Sequence, residues 1–215
     1  MRVVAISVGR PRQVQWRGRE VRTSIFKTPV TRRVHVARTN IEGDEQSDLS
    51  VHGGADKAVY AYPAEHYDFW RRELPDADLP WGAFGENFTT EGLLEGEVGI
   101  GDRYRIGTVE LVVTQPRMPC YKLGVRFGQA DMVKRFHQSR RSGFYLAVER
   151  EGEVGGGDAI ELLARNERRL AVADVVALYA TDSENQPLLR NASEHPSLPA
   201  AWREYFKERL WAPDA

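Results

Sequence analysis

The sequence predicts a mainly β domain followed by a helical extension, and thus an α+β protein overall. Up to about residue 165, short apolar runs with β-branched residues alternate with glycine and proline turns, a pattern that favours a barrel or a sandwich. After Ala164 the apolar residues recur at helical spacing instead. We therefore expect a β domain over residues 1–165 and a three-helix extension over residues 166–215.

The β part begins with the apolar run VVAISV, which predicts a buried strand. Further strands are expected at 24–30 and 32–36, and Pro29 confines the first of these to an edge or a bend. The sequence AVYAY alternates like a strand. Two hairpins are expected at 98–115 and 142–163, since glycines supply a bend within each.

The helical segments show a different spacing. AEHYDFWRREL (64–74) predicts a helix that Pro75 ends, and DMVKRFHQ (131–138) predicts a second short helix. Three helices are expected in the extension. The last of them carries a single apolar face made of Trp202, Tyr205, Phe206 and Leu210. Helices this short are expected to pack on each other and on the β domain, because they bury little alone.

The composition excludes several classes of protein. With 30 basic and 31 acidic residues the net charge is −1, so a generally basic nucleic-acid binder is excluded, although a local basic site is not. No stretch approaches the roughly 20 apolar residues that a membrane span requires. We expect a soluble, cytoplasmic protein with no nucleic-acid or membrane partner. The single cysteine excludes an intrachain disulfide and a zinc or iron–sulfur site built from four cysteines of this chain.

That cysteine, Cys120, is the strongest candidate for chemistry. It lies in QPRMPCYKLG, and the basic residues close to it in sequence are Arg117, Lys122 and Arg126. If those charges are also close in space, they favour the thiolate. The alternative is a buried cysteine that acts as a small hydrophobe, but the polar setting between two prolines favours function. No histidine base is evident nearby, whereas a soft thiolate suits a heavier transition metal.

A second motif, HGGADK, lies in a long polar loop at 40–57. The pair Gly53 and Gly54 lets the backbone approach a ligand closely, and Lys57 supplies a positive charge. A tight turn with a solvated His52 and Lys57 is the equally weighted alternative. The five histidines show no HxH or HExxH spacing, so a zinc hydrolase has little support.

Two weaker signals complete the candidate set. Gly85, Glu86 and Asn87 form a polar turn, GEN, which a capped turn explains equally well. Lys27 lies between apolar neighbours in IFKTPV, where a surface lysine with a buried stem is the simpler interpretation.

Taken together, these segments resemble a known family. GDEQSDLSVHGGADKAVYAYPAEHY, FGENFTTEGL, VGIGDRYRIG and QPRMPCYKLG occur in the order and spacing of MOSC domains, named for the C-terminal domain of molybdenum-cofactor sulfurase. The resemblance is strongest to the YiiM-type branch, which adds a C-terminal three-helix extension. It covers nearly the whole chain and implies a MOSC-type β-barrel with short peripheral helices.

The resemblance also implies an activity. Members hold molybdenum as a pterin (molybdopterin) cofactor, with the motif cysteine, here Cys120, as the protein ligand. Related proteins reduce N-hydroxylated compounds such as hydroxylaminopurines and amidoximes. A non-catalytic carrier of cofactor or sulfur is the alternative, and a transferase with Cys120 as nucleophile is a third interpretation. Pyridoxal phosphate is not expected, despite the sulfurase origin of the family name.

The resemblance assigns roles to the candidate residues as well. His52 is a candidate to contact the cofactor or relay protons, alongside Cys120 as the catalytic pair. The chain has no haem motif or flavin fingerprint, so a separate electron-donor protein is expected; the oligomeric state stays open. The candidates to hold the anionic parts of the cofactor are Lys27, Lys57, Arg117 and the backbone N–H groups of Gly53 and Gly54. The candidates to bond the pterin edge are Glu86, Asn87, Thr114 and Gln115.

Overall fold

The fold centres on an eight-stranded sheet, seen in the residues that the computed structural model describes, 1–47, 53–180 and 185–211. The strands are β1 (Arg2–Val8), β2 (Arg12–Trp16), β3 (Arg19–Thr23), β4 (Thr28–Val30), β5 (Val34–Ala37), β6 (Asn40–Ile41), β7 (Val59–Pro63), β8 (Phe88–Glu91), β9 (Arg103–Ile106), β10 (Val109–Pro116), β11 (Phe144–Arg150), β12 (Gly152–Val154) and β13 (Ile160–Ala164). The main sheet has the order β13-β9-β10-β11-β7-β8-β1-β4, and only β7 and β8 pair in parallel. Strands β12, β5 and β6 form a second sheet, and β2 and β3 a third.

The main sheet is open, so the barrel expected from the sequence is wrong for the described residues. Its outer strands, β13 and β4, do not pair with each other. Near the gap, an isolated bridge joins Arg2 to Ala159. Beyond this bridge the edge of β1 is taken by the three-residue strand β4, which contains Pro29. Because proline lacks an N–H, it lies on an edge strand, as expected, and cannot donate to a further ladder.

Strand β7 separates two apolar cores, which explains why all five of its residues are buried. Val59 and Ala61 belong to a large core that the sheets share with the C-terminal helices. Tyr60 and Tyr62 belong to a second, aromatic core together with Trp70. The strand predicted from AVYAY is therefore confirmed. Successive side chains of β7 point to opposite faces, and here both faces meet an apolar core instead of one core and solvent.

Other strands differ from the sequence-based expectation. Residues 12–23 form the β2–β3 hairpin, which the sequence analysis did not predict. The first expected hairpin is confirmed as β9 and β10. The second is wrong, because β11 pairs with β10 and β7, β12 pairs with β5, and β13 pairs with β9. Glycines locate the bends between strands, but they do not determine which neighbour a strand takes.

The helices mostly follow the sequence. They are α1 (His66–Glu73), α2 (Tyr121–Phe127), α3 (Met132–Ser139), α4 (Val172–Ala180), α5 (Gln186–Glu194) and α6 (Ala200–Trp211), with a short 3₁₀ helix at Ala55–Lys57. All were expected except α2 and the 3₁₀ helix. Among the described residues, no helix combines the length and the apolar character that crossing a bilayer requires.

The three C-terminal helices pack on the sheets as well as on each other. Val175, Leu189 and Phe206, one from each helix, belong to the same core as the sheet residues. Phe206 is fully buried, and Trp202 and Tyr205 pack against this core. The apolar face of the last helix thus packs largely within the chain.

Candidate functional site

A cleft lies where several loops meet beside β7 and β11. Its lining comes from the residues after β3, the loop after β6, the GEN turn and the loop that follows β10. The lining includes Lys27, Asp44, Asn87, Arg117 and Cys120. Segments far apart in the sequence therefore contribute cations, a carboxylate, an amide and the thiol to one place.

Cys120 reaches the cleft because the chain turns from a strand into a helix at this point. Strand β10 ends at Pro116, and Cys120 is the residue immediately before α2. Its backbone is extended, with φ −123° and ψ 169°, and its carbonyl accepts the N–H of Leu123 at 2.9 Å. The residue is partly exposed and lines the cleft. Its thiol is thus accessible to a ligand, unlike a cysteine that fills an apolar core.

Arg117 is the most unusual residue of the cleft. It is 6% exposed, its Nη1 atom has no hydrogen-bond partner, and within the described residues it forms no salt bridge. Its guanidinium lies 5.4 Å from the ring centre of Tyr60 and 5.1 Å from that of Phe136. Burial alone lowers the pKa of Arg117, but the side chains of Tyr60 and Cys120 offset this, so that the pKa lies above its ordinary value. The cleft therefore contains a buried positive charge that the described protein does not neutralise.

Lys27 is held in a different way, by a buried polar network. Its Nζ donates to Asp44 Oδ2 at 2.5 Å, and the two side chains are only 9% and 2% exposed. Asn87 Nδ2 donates to the same carboxylate oxygen at 3.0 Å, and the N–H of Gly9 donates to the other at 2.7 Å. Burial lowers the pKa of Lys27, and the Asp44 carboxylate offsets only part of that effect.

Two further lysines, Lys57 and Lys122, belong to the cleft. Lys57 ends the 3₁₀ helix, which the hydroxyl of Thr114 holds by donating to the carbonyl of Asp56 at 2.7 Å. Lys122, in the first turn of α2, donates from Nζ to the hydroxyl of Ser47 at 3.2 Å. Both lysines line the cleft. Together with Arg117 they make its electrostatic character cationic, so it suits an anionic ligand.

Comparison with known proteins places this chain in a family. A family model described as "MOSC domain" matches residues 48–161, and one described as "YiiM-like, 3-alpha helix domain" matches residues 170–211. The chain is 40% identical to YflK of Bacillus subtilis over 211 residues, which are 97% of this chain and 95% of that protein.

The chain belongs to the MOSC domain family.

Two further comparisons extend this result. The crystal structure of YiiM from Geobacillus stearothermophilus superposes with a TM-score of 0.81 at 36% identity, covering 97% of this chain and 98% of that one. A protein named "Reductase" from Gibberella moniliformis is 35% identical over 196 residues, which are 90% of this chain but 35% of that protein. The MOSC assignment from the sequence is thus confirmed, together with the C-terminal helices of the YiiM-like model.

The structure of this MOSC chain divides eight of the predicted site residues into three groups. The first group lines the cleft and consists of Lys27, Lys57, Asn87, Arg117 and Cys120. Gly53 and Gly54 do not lie on this lining, although Gly54 adopts a φ of 95° and precedes the 3₁₀ helix. His52 lies outside the described residues.

The second group supports the cleft without facing it. Glu86 is fully buried, and its carboxylate accepts hydrogen bonds from Tyr67, Thr89 and the N–H groups of Gly82 and Phe84. It does not line the cleft, and its carboxylate bonds the protein's own groups. Glu86 therefore shapes the GEN turn from within.

Strand β10 contributes the third group. Thr114 directs its hydroxyl to the carbonyls of Asp56 and Tyr145, at 2.7 and 3.1 Å. Gln115 accepts the indole N–H of Trp202 at 2.7 Å, so its side chain faces the helical extension. Neither residue lines the cleft, which makes them positioning residues in this structure.

Sequence analysis missed several residues of the cleft. Asp44 was not among the candidates, yet it bonds both Lys27 and Asn87. Tyr60 and Tyr145 also line the cleft. The alternation of AVYAY placed Tyr60 on one face of a strand but did not identify what that face contacts. Lys122 was not a candidate ligand either, although the sequence analysis named it as a basic neighbour of Cys120.

Proposed function

We propose that this protein reduces N-hydroxylated small molecules by means of a molybdenum–pterin cofactor held in the cleft. The observation that carries the proposal is the buried Arg117 guanidinium, which has no carboxylate partner among the described residues and lies in the same cleft as the partly exposed Cys120. MOSC membership and the relative named "Reductase" support it. A buried charge without a counterion is costly, so a bound anion is its natural complement.

The donor set of the cleft fits such a cofactor. Within the described residues, no group of three or more His, Cys, Asp or Glu side chains is arranged to hold a bare metal ion. The cleft offers instead one soft sulfur ligand and several cations. That combination suits a metal that arrives already bound by an anionic organic ligand, such as the dithiolene and phosphate of a pterin.

Each side chain then has a role in binding or proton supply. The cofactor, when bound, supplies two-electron oxygen-atom transfer, with the overall balance R–NHOH + 2e⁻ + 2H⁺ → R–NH₂ + H₂O. Cys120 Sγ is the protein ligand to the metal, and Arg117, Lys57 and Lys122 neutralise the anionic groups. Lys27 Nζ, oriented by Asp44, holds a proton at the cleft wall and is a candidate to supply it to the leaving oxygen.

The proposal also covers the two parts of the chain and the source of the electrons. We propose a β domain over residues 1–165 with a helical extension over 166–215. The electrons come from a separate donor protein in the cytoplasm, because the chain has a single cysteine and cannot hold an iron–sulfur cluster alone.

The test uses protein produced in a host that makes the pterin. We expect about one molybdenum per chain by elemental analysis, and reduction of 6-hydroxylaminopurine when reduced methyl viologen supplies electrons. Cys120→Ser should lower turnover by about a hundredfold or more, since even the outer neighbours of a metal ligand are worth about 10- to 100-fold. The metal's absorption spectrum should change while the circular dichroism stays the same.

The control and the contrary outcomes are distinct. Tyr121→Phe alters the exposed neighbour of Cys120 and should keep both metal and turnover. Stoichiometric molybdenum without turnover would favour the carrier. Absence of molybdenum, with a group transfer that alkylation of Cys120 abolishes, would favour the transferase. An active serine variant with an unaltered spectrum would contradict the ligand role.

A further inference from the structure

The β2–β3 hairpin, residues Arg12–Thr23, forms a basic arm next to the cleft. It contains four arginines and one glutamate, in a chain whose net charge is −1. The arm forms a two-stranded sheet of its own and does not join the main sheet. Positive charge is thus concentrated on one peripheral element rather than spread over the molecule.

The charges of the basic arm are not neutralised by the described residues. Arg17, Arg19 and Arg22 are exposed and form no salt bridge there. Many other exposed arginines do pair, including Arg2 with Glu91 at 2.6 Å and Arg103 with Glu149 at 2.7 Å. The arm therefore presents a positive surface to solvent, which attracts a partner of opposite charge.

The tip of the arm has an arginine where the backbone disfavours one. Arg17 has a φ of 50° and Gly18 a φ of 74°, the left-handed conformation of a tight two-residue turn. Asparagine and glycine are the residues that such turns favour. An arginine at this position adds charge at the most exposed point of the arm without helping the turn to form.

The basic arm adjoins the cleft in two ways, through its sequence and through packing on α2. Its second strand leads directly into Ser24, Ile25 and Lys27, which line the cleft. Trp16, at the end of the first strand, lies against α2 near Gly124, where an added Cβ would come within 3.5 Å of the indole. A protein docked on the arm would therefore lie beside the mouth of the cleft and next to the helix that follows Cys120.

The base of the arm extends the positive surface towards that helix. Arg12 lies over the ring of Phe26 at 3.5 Å, and Arg126 of α2 lies 5.6 Å from the same ring. The Nε atom of Arg126 has no hydrogen-bond partner. The Phe26 ring thus contacts one arginine of the arm and one arginine of α2. The basic surface of the arm therefore continues onto the helix that follows Cys120.

We propose that the basic arm is the docking surface for an acidic one-electron donor protein, a statement that rests on the proposed reduction. Reduction of one N–OH group consumes two electrons and two protons. Two donor molecules therefore supply one electron each, and the protons come ultimately from solvent. The arm is an exposed ribbon rather than an enclosed site, so it suits a protein surface better than a small anion. Opposite charges steer such encounters and raise their rate.

The experiment compares two electron sources. The test variant Arg17→Asn/Arg19→Gln/Arg22→Gln removes three charges, and asparagine at position 17 retains the left-handed turn. The matched control is Arg72→Gln/Arg140→Asn/Arg190→Gln: these arginines are exposed and outside the cleft lining, form no salt bridge with described residues, and Arg140 also has a positive φ, 56°. Reduced flavodoxin, an acidic flavoprotein, and reduced methyl viologen serve as the two donors.

We expect the test variant to lose about tenfold in flavodoxin-driven kcat/KM at low salt, while methyl viologen supports unchanged turnover. The difference from wild type should fade near 1 M salt, where the Debye length is about 3 Å. The control variant should match wild type with both donors. Unchanged flavodoxin-driven turnover, or an equal loss with methyl viologen, would overturn the proposal.

A binding titration separates failure of the arm from failure of the reduction. Flavodoxin is titrated against each variant without substrate, so the result does not depend on turnover. If neither donor supports turnover, the proposed function fails, while weaker flavodoxin binding by the test variant alone still supports the docking surface. Wild-type binding to a 20-nucleotide single strand that is tighter than binding to flavodoxin would assign the arm to nucleic acid and overturn the proposal.

Discussion

At the scale of single residues, the cleft holds a guanidinium that the described protein leaves without a counterion. The Tyr60 and Phe136 rings near Arg117 give partial compensation, since a cation over an aromatic face is worth roughly 0.5–2 kcal/mol. They do not replace a carboxylate. The stability of the ligand-free protein should therefore gain little from this arginine.

Replacing Arg117 by methionine tests that idea. Without ligand, Arg117→Met should be at least as stable as wild type, with a gain of about 1 kcal/mol, because apolar replacement of a buried ion is often neutral or stabilising. The same variant should retain much less molybdenum after purification. Chemical denaturation and elemental analysis measure the two effects. A variant that is clearly destabilised yet keeps its full metal content would contradict the role assigned to Arg117.

His195 gives a prediction for the effect of pH. It is fully buried, its Nε2 lies 2.8 Å from the carbonyl of Arg168, and its Nδ1 has no partner. Burial lowers its pKa below the ordinary value of 6.5. In the unfolded chain the ring binds a proton near pH 6.5, but in the folded protein only at lower pH. Stability should therefore fall as pH decreases from 6.5 towards the folded-state pKa.

The measurement is Tm between pH 8 and pH 5 for wild type and for His195→Gln. The glutamine amide can donate to the Arg168 carbonyl but does not titrate. We expect its Tm to decline less below pH 6.5 than that of wild type. Parallel curves would show that His195 does not contribute to the acid sensitivity.

Site residues were easiest to predict from the sequence where the residue type and its neighbours are uncommon. Cys120 and Arg117 were predicted to belong to one site, because a proline-bracketed cysteine among cations is unusual, and both line the cleft. Glu86 and Gln115 were assigned to the pterin edge, yet their partners are Tyr67 and Trp202. The type of a polar residue shows which hydrogen bonds it can form, but only the fold determines its partner.

At the scale of elements, strand β10 connects the helical extension to the cysteine loop. Its residue Gln115 accepts the indole N–H of Trp202, from the last helix, at 2.7 Å. One residue later the strand ends and the segment leading to Cys120 begins. The extension thus fixes the end of the strand from which the candidate ligand loop departs.

Trp202→Phe should cost about 1–2 kcal/mol, because it leaves the buried Gln115 amide oxygen without a donor. Adding Gln115→Leu should recover part of that loss, since both polar partners are then absent. Urea unfolding of the two single variants and the double variant measures the coupling. Strictly additive losses would show that the hydrogen bond contributes nothing.

Helix α2 shows where element prediction from the sequence stopped. The segment YKLGVRF contains a glycine and only seven residues, so its helical spacing was too short to detect. The β2–β3 hairpin was missed because its strands are rich in arginine and glutamine rather than β-branched residues. The longer helices, with full apolar faces, were found.

At the scale of the whole molecule, a single large core joins the two parts that the sequence distinguishes. Val113 of the sheet and Val175, Leu189 and Phe206 of the extension belong to one cluster. A backbone hydrogen bond from Ile100 to the carbonyl of Leu170 also connects them. A change in sequence character therefore does not mark a boundary in packing.

We expect one cooperative thermal transition for the full chain, because neither part keeps its core without the other. Deleting residues 168–215 should expose apolar sheet surface, lower Tm and promote aggregation. Differential scanning calorimetry and size-exclusion chromatography test this. Two separate transitions, or a monomeric truncation that melts at the wild-type temperature, would show that the extension is an independent module.

The global arrangement was the part least accessible from the sequence. The turns and most strands were located, but the predicted barrel requires knowing which edges meet. That depends on contacts such as the bridge between Arg2 and Ala159, which are far apart in the chain. Local patterns contain no record of them.

The packing of Trp16 beside Gly124 sets the position of the hairpin relative to α2. A Cβ at position 124 would lie 3.5 Å from the indole and 2.9 Å from the carbonyl of Gln129, so the glycine lets the hairpin and α2 pack closely. If the proposed electron donor docks on the hairpin, this packing would place it at a set distance from the Cys120 sulfur. Electron delivery would then depend on how often partners meet, rather than on how each one happens to orient.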